Sequence, residues 1–206
     1  MKLRQTRWNI MKISINEIFY SIQGEGVFSG TPAVFVRFAG CNRDCEWCDT
    51  EHHETMKLNA AQVVKKVESI CNGNKIVVIT GGEPTIQLKG MVKLSAELWK
   101  KGFRVHVETN GDNFFNVDKF EWVTVSPKEG VDGLMVTPSE LKIVFWGQDV
   151  SRWEERFGGG KVRLYLQPCD DGYKNNQENL TKTIDYVMKH PVWNLSVQLH
   201  KMLHLR

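Results

Sequence analysis

The strongest constraint on this chain is a recurring pattern: a short apolar run that ends in a polar turn. Lys75–Ile79 runs into Thr80-Gly81-Gly82-Glu83-Pro84, and Arg104–Val107 into Glu108-Thr109-Asn110-Gly111. Trp122–Val125 runs into Ser126-Pro127-Lys128, and Val162–Leu166 into Gln167-Pro168. Each run has the length and residue types of a buried strand. Ala33–Ala39, Leu141–Phe145 and Leu195–Gln198 read as further strands. Helix patterns lie between them. Asn59 is placed to cap a helix over Ala60–Ile70, with Val63, Val64, Val67 and Ile70 on one face. A second helix covers Leu88–Lys101 and closes at Gly102, and a third covers Asn179–Lys189. Alternation of this kind predicts parallel strands with right-handed crossovers. Ligands then bind at the carboxyl ends of the strands, where the polar turns fall. A complete eight-unit barrel takes about 200 to 250 residues. Several connections in this 206-residue chain are too short for a helix, so the expectation is an α/β fold with a truncated, open barrel.

Charge narrows the partners. The net charge is +3, but Lys2, Arg4 and Arg7 contribute three positive charges in the first ten residues with no acid among them. Subtracting them from 27 Lys+Arg leaves 24 basic residues over 11–206, against 24 acidic ones. A neutral body gives no electrostatic case for nucleic-acid or membrane binding. The longest apolar runs, such as Ile76–Ile79, fall far short of the ~20 residues of a membrane helix. No secretory leader is read, and residues 1–10 are expected to be an extension ahead of one domain over 11–206. The absence of targeting signals, together with thiols that must stay reduced, leads to the expectation of a cytoplasmic protein.

There are five cysteines, an odd number that argues against a closed disulfide framework. Three of them sit in Cys41-Asn42-Arg43-Asp44-Cys45-Glu46-Trp47-Cys48, a C-x3-C-x2-C run. Clustering brings three thiolates together at little entropic cost and suits a soft metal centre. A structural zinc site wants four ligands, and His52 or His53 offers the fourth. An iron–sulfur cluster fits better, because three thiolates hold three irons of a [4Fe-4S] cube and leave one iron open for chemistry.

A cysteine loop of this spacing after a core strand, followed by Gly81-Gly82-Glu83-Pro84 after the next, resembles the radical S-adenosylmethionine (SAM) enzymes. The resemblance sharpens with Gln23-Gly24-Glu25-Gly26, Arg37, Trp47-Cys48-Asp49-Thr50, Ser126-Pro127-Lys128 and Gln198-Leu199-His200-Lys201. Together these are similar to the 7-carboxy-7-deazaguanine synthase family, over Ile15 to Arg206. The fold this implies is the partial TIM-type barrel of the radical SAM superfamily.

The resemblance also implies a site. Cys41, Cys45 and Cys48 hold the cluster and act in catalysis. The open iron takes the amino and carboxylate groups of SAM, whose cleavage releases a 5′-deoxyadenosyl radical. Trp47, Cys48, Asp49, Gly82, Glu108, Ser126, Pro127, Lys128, Gln167, Pro168, Cys169 and Asp170 line the SAM site. Glu108 is read either as a SAM ligand or as a solvated strand-end acid, and Cys169 as a small pocket-lining residue. Thr50 contributes to a Mg²⁺ site. The substrate implied is 6-carboxy-5,6,7,8-tetrahydropterin, bound by Ile22, Gln23, Gly24, Arg37, Thr80 and Arg206. Arg37 lies inside an apolar strand, where an unpaired charge is costly. Either a substrate carboxylate or a structural salt bridge to Glu25 answers that cost. The reaction implied is hydrogen abstraction at C6, radical ring contraction with Mg²⁺ assistance, return of the hydrogen with regeneration of SAM, and loss of ammonia. An electron donor such as flavodoxin and a homodimer complete the expected partners.

Two other classes stay open on the sequence. A radical SAM activase that makes a glycyl radical on a partner enzyme shares the cysteine loop and the Gly-Gly-Glu-Pro turn. A non-catalytic zinc- or cluster-binding interaction protein shares the cysteines alone. The stretch from Glu129 to Gly160 carries no recognisable signature, with Glu154–Phe157 read as a helix end before the turn at Gly158-Gly159-Gly160.

Overall fold

The computed structural model describes residues 11–131, 133–170, 172 and 176–205. The expected extension over 1–10 therefore lies outside the described residues, as does Arg206.

Nine strands form one sheet: β1 (Ile13–Ile22), β2 (Pro32–Phe38), β3 (Met56–Leu58), β4 (Ile76–Gly81), β5 (Arg104–Thr109), β6 (Trp122–Val125), β7 (Glu140–Phe145), β8 (Arg163–Pro168) and β9 (Trp193–Leu195). Their order is β3-β1-β2-β4-β5-β6-β7-β8-β9. From β2 to β9 every neighbouring pair is parallel. The sheet begins at β3 and ends at β9 without closing, as an open barrel requires. Its helices are α1 (Ala60–Ile70), α2 (Leu88–Lys100), α3 (Ser151–Phe157), α4 (Asn176–Lys189) and α5 (Leu199–Met202). Between β5 and β6 a 3-10 turn, Val117–Lys119, makes the connection, and among the described residues no helix lies between β6 and β7.

The period-2 alternation of the strands sorts their residues onto two faces. Val34, Val36, Val77, Ile79, Val105, Val107, Val123, Val125, Leu141, Ile143, Leu164 and Leu166 join the main core under the helices. The alternate positions carry a different chemistry. Arg37, Thr80, Glu108, Thr124, Lys142 and Gln167 all line a single cavity on the opposite face. A smaller apolar group of Phe19, Ala33, Phe35, Ile76 and Val78 shares that side.

Local chemistry explains the helix ends. The Asn59 side chain accepts from Gln62 N at 2.9 Å, and Gln62 Oε1 accepts from Asn59 N at 2.9 Å. This reciprocal capping box stabilises the start of α1 by about 1 kcal/mol. α2 ends at Gly102, whose φ of +77° suits glycine.

Two sequence expectations need correction. First, β1 and β3 were not anticipated, and both pair antiparallel, so the sheet is mixed and not purely parallel. The alternation in β1 is interrupted by Asn16 and Glu17, where the register with β2 shifts. Second, the strand expected over Leu195–Gln198 is β9, Trp193–Leu195, and Gln198 instead leads into α5. As expected, Glu154–Phe157 ends a helix, α3, which packs the buried Trp153 into the core.

Candidate active site

The cysteine loop leaves β2 at Gly40, whose φ of +85° turns the chain. It is tied down at both ends. Gly40 N donates to His52 O at 2.7 Å, and Gly40 O accepts from Glu83 N at 2.9 Å. Arg43 forms a two-point clasp on Asp112, Nε to Oδ2 at 2.7 Å and Nη2 to Oδ1 at 2.8 Å. Its Nη1 reaches Glu129 O at 3.1 Å. Asn110 Nδ2 donates to Asn42 Oδ1 at 2.8 Å. The loop is thereby held against the carboxyl end of β5.

The Gly-Gly-Glu-Pro turn after β4 locks against the same loop. A Cβ on Gly82 would lie 2.2 Å from the Gly40 carbonyl oxygen and 2.9 Å from Cys41 Cβ, and one on Gly81 would lie 2.3 Å from Phe38 O. Only glycine permits backbone contact this close. Glu83 is fully buried. Its Oε1 accepts from Thr85 N at 2.9 Å, Thr85 Oγ1 at 2.5 Å and Thr109 Oγ1 at 2.7 Å, and its Oε2 from Asn110 N at 2.7 Å. A buried carboxylate satisfied this fully needs no cationic partner. The turn that carries it is consequently welded to β5.

Cys41, Cys45 and Cys48 are all free thiols lining the cavity. Burial pushes the Cys45 thiol up, while the Lys128 ammonium pulls it back toward the thiolate. Lys128 is itself pushed down by burial, lies 4.8 Å from the centre of the Trp47 ring, and donates to Ser126 Oγ at 3.1 Å. Three thiols on a short fixed loop, with the half-buried Lys128 cation lining the same cavity, suit an anionic iron–sulfur cluster. Among the described residues no three His, Cys, Asp or Glu side chains gather closely enough to hold one metal ion. A cubane asks for a different arrangement, one thiolate on each of three irons.

The polar floor of the cavity is a hydrogen-bonded array. Glu108 Oε1 accepts from Gln23 Nε2 at 2.9 Å, and its Oε2 from Thr80 Oγ1 at 3.0 Å. Glu108 is therefore a fixed acceptor, and the reading as a solvated strand-end acid falls. Arg37 does carry a salt bridge, but to Glu17, directly across the β1–β2 pair, with Nε to Oε1 at 2.9 Å. The expected partner Glu25 is engaged elsewhere: it pairs with Lys142 of β7. Thr50 Oγ1 donates to Asp49 Oδ1 at 3.3 Å.

One cavity brings together Ile22, Gln23, Gly24, Arg37, Cys41, Cys45, Trp47, Cys48, Asp49, Thr50, Thr80, Gly82, Glu108, Ser126, Lys128 and Gln167. Pro127, Pro168, Cys169 and Asp170 do not line it. Cys169 is buried in the adjoining cleft beside Trp47, Trp146 and Asn179, and Pro127 lines another beside Trp47 and Lys128. Asp170 accepts instead from Lys201 and Asn176, both at 2.6 Å. Sequence reasoning missed Lys142 and Asn110 in the cavity wall. Lys142 did carry a signal, a charge at an alternate position of an apolar strand, the same signal that singled out Arg37.

A sheet whose carboxyl edge presents three clustered cysteines beside a glycine-locked turn defines a radical SAM enzyme, and the Radical SAM superfamily model matches residues 35–137. Over 95% of the chain and 100% of the relative, it is 40% identical to the 7-carboxy-7-deazaguanine synthase of Bacteroides thetaiotaomicron. The synthase of Bradyrhizobium diazoefficiens is 37% identical over the same shares. The chain belongs to the 7-carboxy-7-deazaguanine synthase family. The crystal structure of QueE from Escherichia coli superposes with a TM-score of 0.76 at 27% identity, covering 95% of this chain and 98% of that one. Membership in this family sets aside both the activase and the non-catalytic zinc protein. No helix among the described residues is long and apolar enough to cross a membrane.

Proposed function

We propose that this chain converts 6-carboxy-5,6,7,8-tetrahydropterin to 7-carboxy-7-deazaguanine by a SAM- and Mg²⁺-dependent ring contraction that releases ammonia. One observation carries the reading: the three cysteines and the array of Gln23, Arg37, Thr80 and Glu108 line the same cavity. Cys41, Cys45 and Cys48 would hold the [4Fe-4S] cluster. When bound, cluster and SAM supply a carbon-centred radical able to take a hydrogen atom, chemistry that belongs to the cofactor.

The chain's own residues bind, orient and exclude water. Arg37, steadied at Nε by Glu17, offers its guanidinium to the pterin carboxylate. Glu108, held by Gln23 and Thr80, would present an oriented acceptor to the ribose or amino group of SAM. Backbone at Ile22–Gly24 borders the same space. The Thr50 hydroxyl, beside Asp49, would offer a magnesium ion a hard oxygen ligand. Trp47, Gly82, Ser126 and Lys128 line the same cavity and would border SAM. The same reading carries a one-electron donor such as flavodoxin, a homodimer and a cytoplasmic setting.

Arg37→Gln tests the substrate assignment. The KM for the pterin rises about tenfold or more, in line with loss of a charge-assisted pair, while iron and sulfide content stay at the wild-type level. An unchanged KM would remove Arg37 from the substrate site. Consumption of SAM with the pterin untouched would remove the pterin altogether.

A further inference from the structure

The segment from Gln198 to Leu205 borders the cavity through Gln198 and His200 and is fastened to three separate parts of the chain. Gln198 Nε2 donates to Glu25 Oε1 and to Asp49 Oδ2, both at 3.1 Å. Leu199 N donates to Gly24 O at 3.0 Å. The approach at Gly24 is so close that a Cβ there would lie 2.1 Å from His200 Nδ1. Lys201 Nζ bridges two carboxylates, 2.5 Å from Asp49 Oδ2 and 2.6 Å from Asp170 Oδ2. Asp49 follows the last cluster cysteine directly, and Asp170 lies just beyond the end of β8, so one ammonium joins the cysteine loop, the β8 loop and the C-terminal segment.

Few other contacts hold this segment. α5 is four residues long and has no buried residue. Met202 and Leu203 are exposed and contribute no apolar anchor. The remaining backbone bonds are local, such as Leu203 N to Leu199 O at 3.0 Å and Leu205 N to His200 O at 2.8 Å. Segments held this way open locally at low free energy. Gln198 and His200 line the cavity itself, so movement of the segment moves a wall of the site.

We propose that Lys201 is a positioning residue, a clasp that keeps the C-terminal wall closed over the bound substrate and releases it for exchange. The side chains of Lys201, Asp49 and Asp170 are 33%, 44% and 28% exposed, so their attraction is partly screened. A clasp of modest, salt-sensitive strength suits a wall that opens once per turnover. Removing the ammonium also leaves two carboxylates facing one another at the point it bridged. The clasp stands on the contacts alone, whereas its effect on substrate rests on the pterin reading above.

Amide exchange over residues 198–205, measured on the purified protein without SAM or substrate, reads the clasp directly. Lys201→Met raises exchange there about tenfold, equivalent to about 1.4 kcal/mol of lost closure. Lys201→Arg restores most of it, high salt raises it in the wild type, and exchange in α1 and α2 stays constant. In steady state, Lys201→Met raises the KM for 6-carboxytetrahydropterin about tenfold with kcat and iron content little changed. Unaltered exchange at 198–205 overturns the clasp. Raised exchange with an unchanged KM overturns its role in holding substrate. A wild type that fails to consume the pterin refutes the substrate reading, while the exchange comparison still decides the clasp.

Discussion

Lys142 of β7 and Glu25 of the loop after β1 form a largely buried ion pair in the wall of the active-site cavity, 117 positions apart in the chain. Burial pushes the Glu25 carboxyl up, but the Lys142 ammonium overrides it and holds the group below the usual carboxylate range. Burial likewise pushes Lys142 down, and Glu25 and Glu108 more than reverse it, so its pKa is raised. The pair ties the loop after β1 to β7 across the open sheet.

Breaking one side of this pair leaves a buried uncompensated charge. Lys142→Met costs about 3–5 kcal/mol of unfolding free energy, and the double variant Lys142→Met/Glu25→Gln recovers a large part of it. Urea unfolding checks both. The signs with pH follow from the two shifts. The contribution of Glu25 is present above the unfolded carboxylate pKa and is lost as pH falls through its lowered folded value. The contribution of Lys142 is complete below the unfolded lysine pKa and is lost only as pH rises through its raised folded value.

Gly82 is a second pressure point. Gly82→Ala places a methyl group against the Gly40 carbonyl and Cys41 Cβ, both backbone-anchored, so the turn or the cysteine loop shifts. The expected outcome is a folded protein with sharply reduced iron and sulfide after reconstitution. Wild-type cluster content in this variant would show that the close approach does not position Cys41.

His106 predicts an acid-side loss of stability. Its ring packs 4.4 Å from Phe28, and burial lowers its pKa to about 4. As pH falls below the unfolded histidine value of ~6.5, the unfolded chain takes up a proton that the folded chain refuses until about 4. Stability present above the upper value is therefore lost across this window, by up to about 3 kcal/mol at ~1.4 kcal/mol per unit. Unfolding measured from neutral pH down to about 4 should show this slope in the wild type and not in His106→Gln. A slope of equal size in both would assign the loss to other groups.

How much of the site is legible in the sequence depends on whether neighbours in space are neighbours in the chain. The cysteine loop, the Gly81-Gly82-Glu83-Pro84 turn and Ser126-Pro127-Lys128 are contiguous motifs at strand ends, and parallel topology alone brings them to one edge. Arg37 was visible because a charge inside Ala33–Ala39 breaks an otherwise apolar run. Its partner was not, because Glu17 lies opposite Arg37 through an antiparallel pairing that the irregular pattern of β1 conceals. The Lys142–Glu25 pair was hidden for a related reason: only barrel curvature brings β7 against the loop after β1. Cys169 and Asp170 follow the Gln167-Pro168 motif along the chain, while the turn after β8 takes the Cys169 side chain to the adjoining cleft and the Asp170 carboxylate to Lys201.

The proposed function requires one cavity to unite a cysteine-held cluster with a pterin site. The most direct measurement is anaerobic turnover of reconstituted, reduced protein with SAM, Mg²⁺ and 6-carboxytetrahydropterin, with product mass followed for the wild type and Cys45→Ala. The account predicts 7-carboxy-7-deazaguanine, lighter than the substrate by one ammonia, from the wild type and none from Cys45→Ala. Product formed equally by both proteins, or a wild type with an intact cluster that cleaves SAM and leaves the pterin unchanged, would contradict it.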